Sequence, residues 1–303
     1  MTSGHPARKA RIGIILAGVA ALTLAINDVS VPFAYAQGFN PPTVVLARYI
    51  FLLGGLVLAL PLLGLGFRLA RNHAFHALGS GITAAIGALG LLGSFAYIPV
   101  SLGVVILYTF PIITTLLECA QARRFPGAIE LACLIAALIG VGIAIGLNDM
   151  SLDPRGIALA GLSAVGFAIS IFWNSIKLRT ADGTIVTFYM AIAGVATAVL
   201  YLSLTQGLAL TGAGFTGWLP LAVTCFFFAI SYIGMFKAVE LAGGAPTAMV
   251  LNLEPVFAIG LAALFLGEAL TLPRLLGSAL VIGAVVLSEF SRGRKDVAVE
   301  LAG

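Results

Sequence analysis

Ten apolar stretches, each long enough to cross a lipid bilayer, follow one another along this 303-residue chain. At 1.5 Å per residue, about 20 residues of helix cross roughly 30 Å of hydrocarbon. The stretches fall at 12–35, 42–63, 77–98, 100–122, 126–147, 155–177, 184–206, 217–241, 244–267 and 272–290. Turn and breaker signals separate them: GFNPP at 38–42, the basic FRLARNHAFH at 67–76, then ARRFPG, NDMSLDPRG, LRTADGT, TGAGFTG, LAGGAP and the Pro273-Arg274 corner. Little length remains for a soluble catalytic domain. Composition agrees, because at 60% hydrophobic and 9% charged residues there is too little polar surface to cover a soluble particle. Disorder, a basic nucleic-acid-binding domain and an ordinary water-soluble enzyme are thereby excluded, and the net charge of +4 points to no nucleic acid.

The positive charges orient the spans. With the N-terminus in the cytoplasm, 13 of the 16 Lys and Arg residues fall on the inner side. These include Arg8, Lys9, Arg11, Arg68, Arg71, Arg123, Arg124, Lys177, Arg179, Lys237 and the C-terminal Arg292, Arg294 and Lys295. Only Arg155 and Arg274 fall outside, and Arg48 lies within a span. So uneven a partition predicts an even number of spans with both termini cytoplasmic, in the cell inner (plasma) membrane.

The chain also repeats itself. Leu16-Ala17-Gly18 returns as Leu159-Ala160-Gly161, and Pro111 in the fourth span is matched by Pro255 in the ninth, 144 residues later. The expected architecture is an all-α integral membrane protein of ten transmembrane helices, built as two inverted five-helix repeats around a central cavity. The first repeat is 12–147 and the second 148–290, flanked by cytoplasmic tails at 1–11 and 291–303. Inverted repeats with a midplane site are a common construction of secondary transporters.

SLGVVILYTFPIITTLLE (101–118) and its counterpart GAPTAMVLNLEPVFAIGLAALFLGEALTLPRLLGSALVIGAVVL (244–287) resemble the signature helix pairs of EamA-type transporters in the drug/metabolite transporter superfamily. Leu253-Glu254-Pro255 and Gly267-Glu268 carry the likeness most closely, and Arg48 in LARYIFLLGG falls where that family typically has an arginine. The first half departs from the pattern, with Ala122-Arg123-Arg124 where a Gly-Glu is expected. The resemblance spans essentially the whole chain. It implies a ten-helix carrier that moves small metabolites, often outward, and it leaves the metabolite unnamed.

Ionisable groups inside hydrocarbon cost about 2.5–3.5 kcal/mol each on insertion scales, so each is a functional candidate. Asp28 lies about 25 Å above the inner face and Arg48 about 9 Å below the outer one, nearly the same height, so the two are expected to pair. Their alternative roles are helix pinning and an outer substrate-charge site. Glu254 lies about 15 Å into the ninth span, beside Pro255, where a freed carbonyl and a kink are expected. Pro111 and Pro255 are the candidate hinges. Asn252, Tyr108 and Tyr232 are candidates for the same cavity, with interhelical bonding as the plainer alternative. Lys237, Glu118 and Asn174, with Glu240, fall near inner helix ends and are candidates for an inner gate or for snorkelling to headgroups. Trp173, Tyr201 and Trp218 read as interfacial aromatics. Gly142 and Gly146 form a GxxxG, and Gly87, Gly90 and Gly93 a close-packing stripe.

No GxxxxGK[ST], HExxH or GxSxG is present. Cys119, Cys133 and Cys225 show no CxxC spacing and read as buried small hydrophobes, while His73 and His76 lack a third metal ligand. The expectation is therefore a non-enzymatic secondary transporter, an exporter of amino acids or related amphipathic solutes, working by alternating access. It needs no cofactor or metal. Its partners are a small solute and membrane lipids, with protons left open and no nucleic acid. A membrane enzyme, channel or scaffold is the alternative.

Overall fold

In the computed structural model, residues 4–145, 152–205, 207–209 and 214–300 are described, without the side chains of 4–8, 214–215, 236, 240, 244–245 and 289–300. Among them every regular element is a helix: α1 (Gly4–Ala36), α2 (Pro41–Leu62), α3 (Arg71–Ser94), α4 (Val100–Leu107), α5 (Phe110–Gln121) and α6 (Ala128–Ile145). Then follow α7 (Pro154–Lys177), α8 (Gly183–Leu204), α9 (Gly214–Ala242), α10 (Gly244–Leu251), α11 (Glu254–Leu266) and α12 (Leu272–Glu300). Helices satisfy their own backbone groups, which is why they are the solution for an apolar chain in lipid. Among the described residues nine helical stretches are long and apolar enough to cross a membrane, and Leu272–Ser288 is a shorter apolar tenth. The chain is an all-α multi-pass membrane protein.

Local sequence sets the helix starts. Asn40 caps α2 by accepting from Thr43 N–H, with Pro41 in the first turn. Asp182 caps α8 by accepting from the N–H groups of Thr184 and Ile185. Such caps satisfy amides that the helix leaves free. The segments read as tails are helical where described, α1 starting at Gly4 and α12 running to Glu300, where 291–300 contains no proline to stop it. The fourth and ninth spans are each interrupted rather than continuous.

Helix packing has a recurring plan. α1 lies against α9 and α3 against α7, α3 crosses α8 and α2 crosses α9, and α2 pairs with α8 as α6 does with α12. Carrying α1 to α7, α2 to α8, α3 to α9, the α4–α5 pair to α10–α11 and α6 to α12 turns each of these pairings into another of them, or into itself. The largest departure from the pattern is the packing of α4 on α11, whose counterpart, α10 with α5, is at most a slight contact among the described residues.

Small residues bring these helices together. A Cβ on Gly277 of α12 would run into the Gly140 carbonyl of α6, and one on Gly90 of α3 would lie 2.7 Å from the Leu159 carbonyl of α7. Gly87 is as tight against Phe167, and Gly93 sits at ordinary contact distance from Leu159, so the α3 stripe is a packing seam. The Gly142/Gly146 pair is not seen as one: Gly142 faces open space, and Gly146 lies outside the described residues. Gly140, two residues before Gly142 and so on nearly the opposite face of α6, is the residue α12 meets.

Candidate functional site

Pro111 and Pro255 each stand four residues after a leucine, Leu107 and Leu251, whose carbonyl therefore has no N–H to accept from at the usual helical position. A kink is the expected result at each. Instead the helices stop at Leu107 and Leu251 and restart at Phe110 and Glu254, 144 residues apart in both cases. The two-residue joints tighten: Thr109 N–H donates to the Ile106 carbonyl, and Leu253 N–H to that of Val250. These are three-residue steps, the kind that often closes a helix end. Each joint projects a polar side chain inward, Tyr108 in one case and Asn252 in the other, both buried.

Tyr108 reaches across to the other joint. Its Oη lies 2.8 Å from Glu254 Oε2 and 3.0 Å from the Leu251 carbonyl, the one that Pro255 leaves open. Glu254 is 7% exposed. Tyr108 and Glu254 are thus brought together, with Asn252 buried at the joint two residues before Glu254. Asn252 Nδ2 is buried and has no hydrogen-bond partner among the described residues.

Asp28 and Arg48 pair as their depths predict, with Arg48 Nη2 donating to Asp28 Oδ1 at 3.3 Å and both side chains buried. The bond is long for a charge-assisted pair, which runs nearer 2.7–2.9 Å. Asn27 Nδ2 donates to the same oxygen at 2.9 Å, and Thr224 of α9 donates to Asn27, tying α1 to α9. The guanidinium stacks over the ring of Phe228, its Cζ 4.5 Å from the centroid, and Nε is buried without a partner. Tyr232 stacks on the same Phe228 at 4.6 Å between centroids. Beyond Tyr232 opens a small, almost wholly apolar cavity between α2, α3, α8 and α9, lined by Tyr49, Leu52, Ala84, Thr187, Met190, Ala191 and Tyr232. Aromatic rings therefore connect the cavity to the ion pair.

Of the inner-end candidates, Asn174 reaches the cavity wall through Met190. Glu118 on α5 and Lys237 on α9 are half-buried. Asn174 donates to Met190 Sδ at 3.7 Å, and its Oδ1 is buried without a partner. The side chain of Glu240 lies outside the described residues. Trp173 is more than an interfacial residue: its Nε1 donates to His76 Nδ1 at 3.2 Å and its ring sits against Gly79. No three His, Cys, Asp or Glu side chains gather into a metal-like group among the described residues.

Glu268 has a structural role that its place in a motif does not disclose. Gly267 turns in the left-handed region (φ 67°) at the end of α11, and the following carboxylate crosses to the start of α4. There it accepts from the N–H of Val100 at 2.6 Å, the N–H of Ser101 at 3.3 Å and the Ser101 hydroxyl. No other side chain caps α4, so Glu268 supplies both hydrogen-bond acceptors and the negative charge that a helix start favours. Arg124, 144 residues earlier, instead turns to Glu130, with its Nη1 2.8 Å and Nη2 3.1 Å from that carboxylate. The clasp at the α4–α11 end has no equivalent carboxylate at 124.

Broken helices meeting around buried polar residues, within a bundle of membrane-length helices, mark a polytopic membrane protein. Residues 154–290, from α7 into α12, match the model of the EamA-like transporter family, which is consistent with a membrane transporter of the drug/metabolite transporter superfamily. Among solved structures the chain is similar to one titled "Crystal structure of protein", with a TM-score of 0.63 at 16% identity, covering 95% of this chain and 98% of that one. A likeness at that identity speaks for the fold alone. No curated protein matches.

Proposed function

We propose that the protein is a secondary carrier that exports small amphipathic solutes, amino acids and related metabolites among them, by alternating access of a central site between two inverted halves. The observation that carries this reading is the buried Asp28–Arg48 pair with Arg48 Nε unpartnered, in the same core as Glu254 and the unpartnered amide of Asn252. An unpartnered buried donor costs about 1–3 kcal/mol, so its persistence is accounted for by a solute acceptor that satisfies it. The rings of Phe228, Tyr232 and Tyr49 supply an apolar wall for the solute's body. The reciprocal packing of α1–α9 with α3–α7 supports two halves that rock against each other.

The asymmetry of the α4–α11 and α5–α10 pairings supports a conformation closed at one end. The Glu268 clasp holds that closed end, which the distribution of Lys and Arg assigns to the outside of the inner membrane. Opening it requires Glu268 to leave α4. Cells overproducing the chain, challenged with toxic excess of single amino acids, test the reading. Protection against some of them, absent with Arg48→Gln, is expected; equal sensitivity of overproducing and control cells across the panel contradicts it.

A further inference from the structure

We infer that Glu254 is a proton-binding site, occupied by a proton in the conformation seen here. The argument is a count of hydrogen atoms. Tyr108 has one hydroxyl proton and two acceptors in reach, Glu254 Oε2 at 2.8 Å and the Leu251 carbonyl at 3.0 Å. Were Glu254 ionised, the one proton would have to be shared between the two in a weaker three-centre bond. With a proton on Glu254 each contact has its own hydrogen. The carboxyl O–H donates to Tyr108 Oη, and the Tyr108 O–H donates to the Leu251 carbonyl that Pro255 leaves open.

The surrounding charges agree. Glu254 is buried on α11, which packs on α1 and α4. The titratable or charged groups that face it are Tyr108 from α4, Asp28 from α1, Arg48 from α2 and Tyr232 from α9. Arg48 is engaged by Asp28, and among the described residues the ion pairs are Arg48–Asp28 and Arg124–Glu130, so no basic side chain neutralises Glu254. An ionised carboxylate there would be an uncompensated buried charge, which proteins avoid by protonation. The corresponding position of the first half is Phe110, so one half alone carries the titrating group.

The consequence for transport rests on the carrier reading above. Glu254 takes up one proton from the side to which the cavity opens and releases it on the other, and the balance is a carboxylic acid exchanging with carboxylate and free proton. Infrared difference spectroscopy of the full chain in lipid vesicles, titrated with acid and base, reads this directly. The expected result is a protonated-carboxyl stretch at neutral pH that fades as pH rises, is lost in Glu254→Gln, persists in Asp28→Asn, and shifts in Tyr108→Phe, which keeps the acid but removes its partner.

Absence of such a band at neutral pH, or its survival in Glu254→Gln, overturns the inference. If Glu254→Gln does not fold, the Tyr108→Phe shift decides, since an unshifted band is not that of Glu254. A second arm measures flux of a radiolabelled amino-acid mixture in the same vesicles under an imposed pH gradient. A titrating band without any flux leaves the proton site standing and removes the carrier reading. Flux that ignores the pH gradient removes the coupling and leaves the carrier.

Discussion

Tyr108 and Asn252 occupy the same place in the two halves, 144 residues apart at the end of a broken helix, yet only Tyr108 is bonded across the molecule. The difference predicts opposite effects. Tyr108→Phe removes the contacts to Glu254 and Leu251 and is expected to lower stability by about 0.6–1.7 kcal/mol, the range for interhelical hydrogen bonds in membranes. Asn252→Leu removes a donor that has no partner, so it is expected to leave the thermal unfolding midpoint unchanged or raised while reducing flux. A drop in the midpoint for Asn252→Leu would mean that the amide is bonded within the protein.

The ion pair is expected to be strongly non-additive. Removing either Asp28 or Arg48 leaves the other charge buried and alone, at a cost of about 3–5 kcal/mol. The double variant Asp28→Asn with Arg48→Gln removes both charges and is expected to be more stable than either single variant. A double-mutant cycle on unfolding in detergent checks this, and simple addition of the two costs would show the charges to be uncoupled.

Glu268 predicts a local effect at the start of α4. Glu268→Gln keeps the shape but loses the charge, and a loss of about 0.5–2 kcal/mol is expected from the cap. Hydrogen exchange at the amides of Val100 and Ser101 is the measurement, with faster exchange there and little change elsewhere. Unchanged protection would show that the carboxylate does not hold these amides.

Glycine packing gives a matched pair on one helix bundle. Gly277→Leu drives a side chain into the Gly140 carbonyl and the backbone of Ala144, so the α6–α12 contact must open and the unfolding midpoint fall. Gly142→Leu meets nothing within 4 Å and is expected to be tolerated. Equal midpoints for the two variants would contradict this packing.

The spans and the buried charges of the candidate site were legible in the sequence for one physical reason: charge is scarce in lipid, so position alone singles out Asp28, Arg48 and Glu254. Proline placement marked the two joints, although it gave no sign that the helices stop outright, because that depends on i→i−3 bonds formed around Tyr108-Thr109 and Asn252-Leu253. Asn27 and Thr224 were missed. A polar neighbour of Asp28 was the available signal for Asn27, but the bond to Thr224 joins residues 197 positions apart. Phe228 under Arg48 is one of three successive phenylalanines, and hydropathy does not say which ring meets a guanidinium. The Glu268 clasp depends on how one half meets the other, which no local pattern records.

The central claim is that a solute is carried through the site around Arg48. Counterflow of radiolabelled amino acids into vesicles containing only the purified chain tests it most directly. The account predicts saturable uptake of at least one of them above protein-free vesicles, abolished by Arg48→Gln in protein that remains folded. Uptake no faster than in protein-free vesicles for the whole panel, or uptake that Arg48→Gln leaves unchanged, would contradict it.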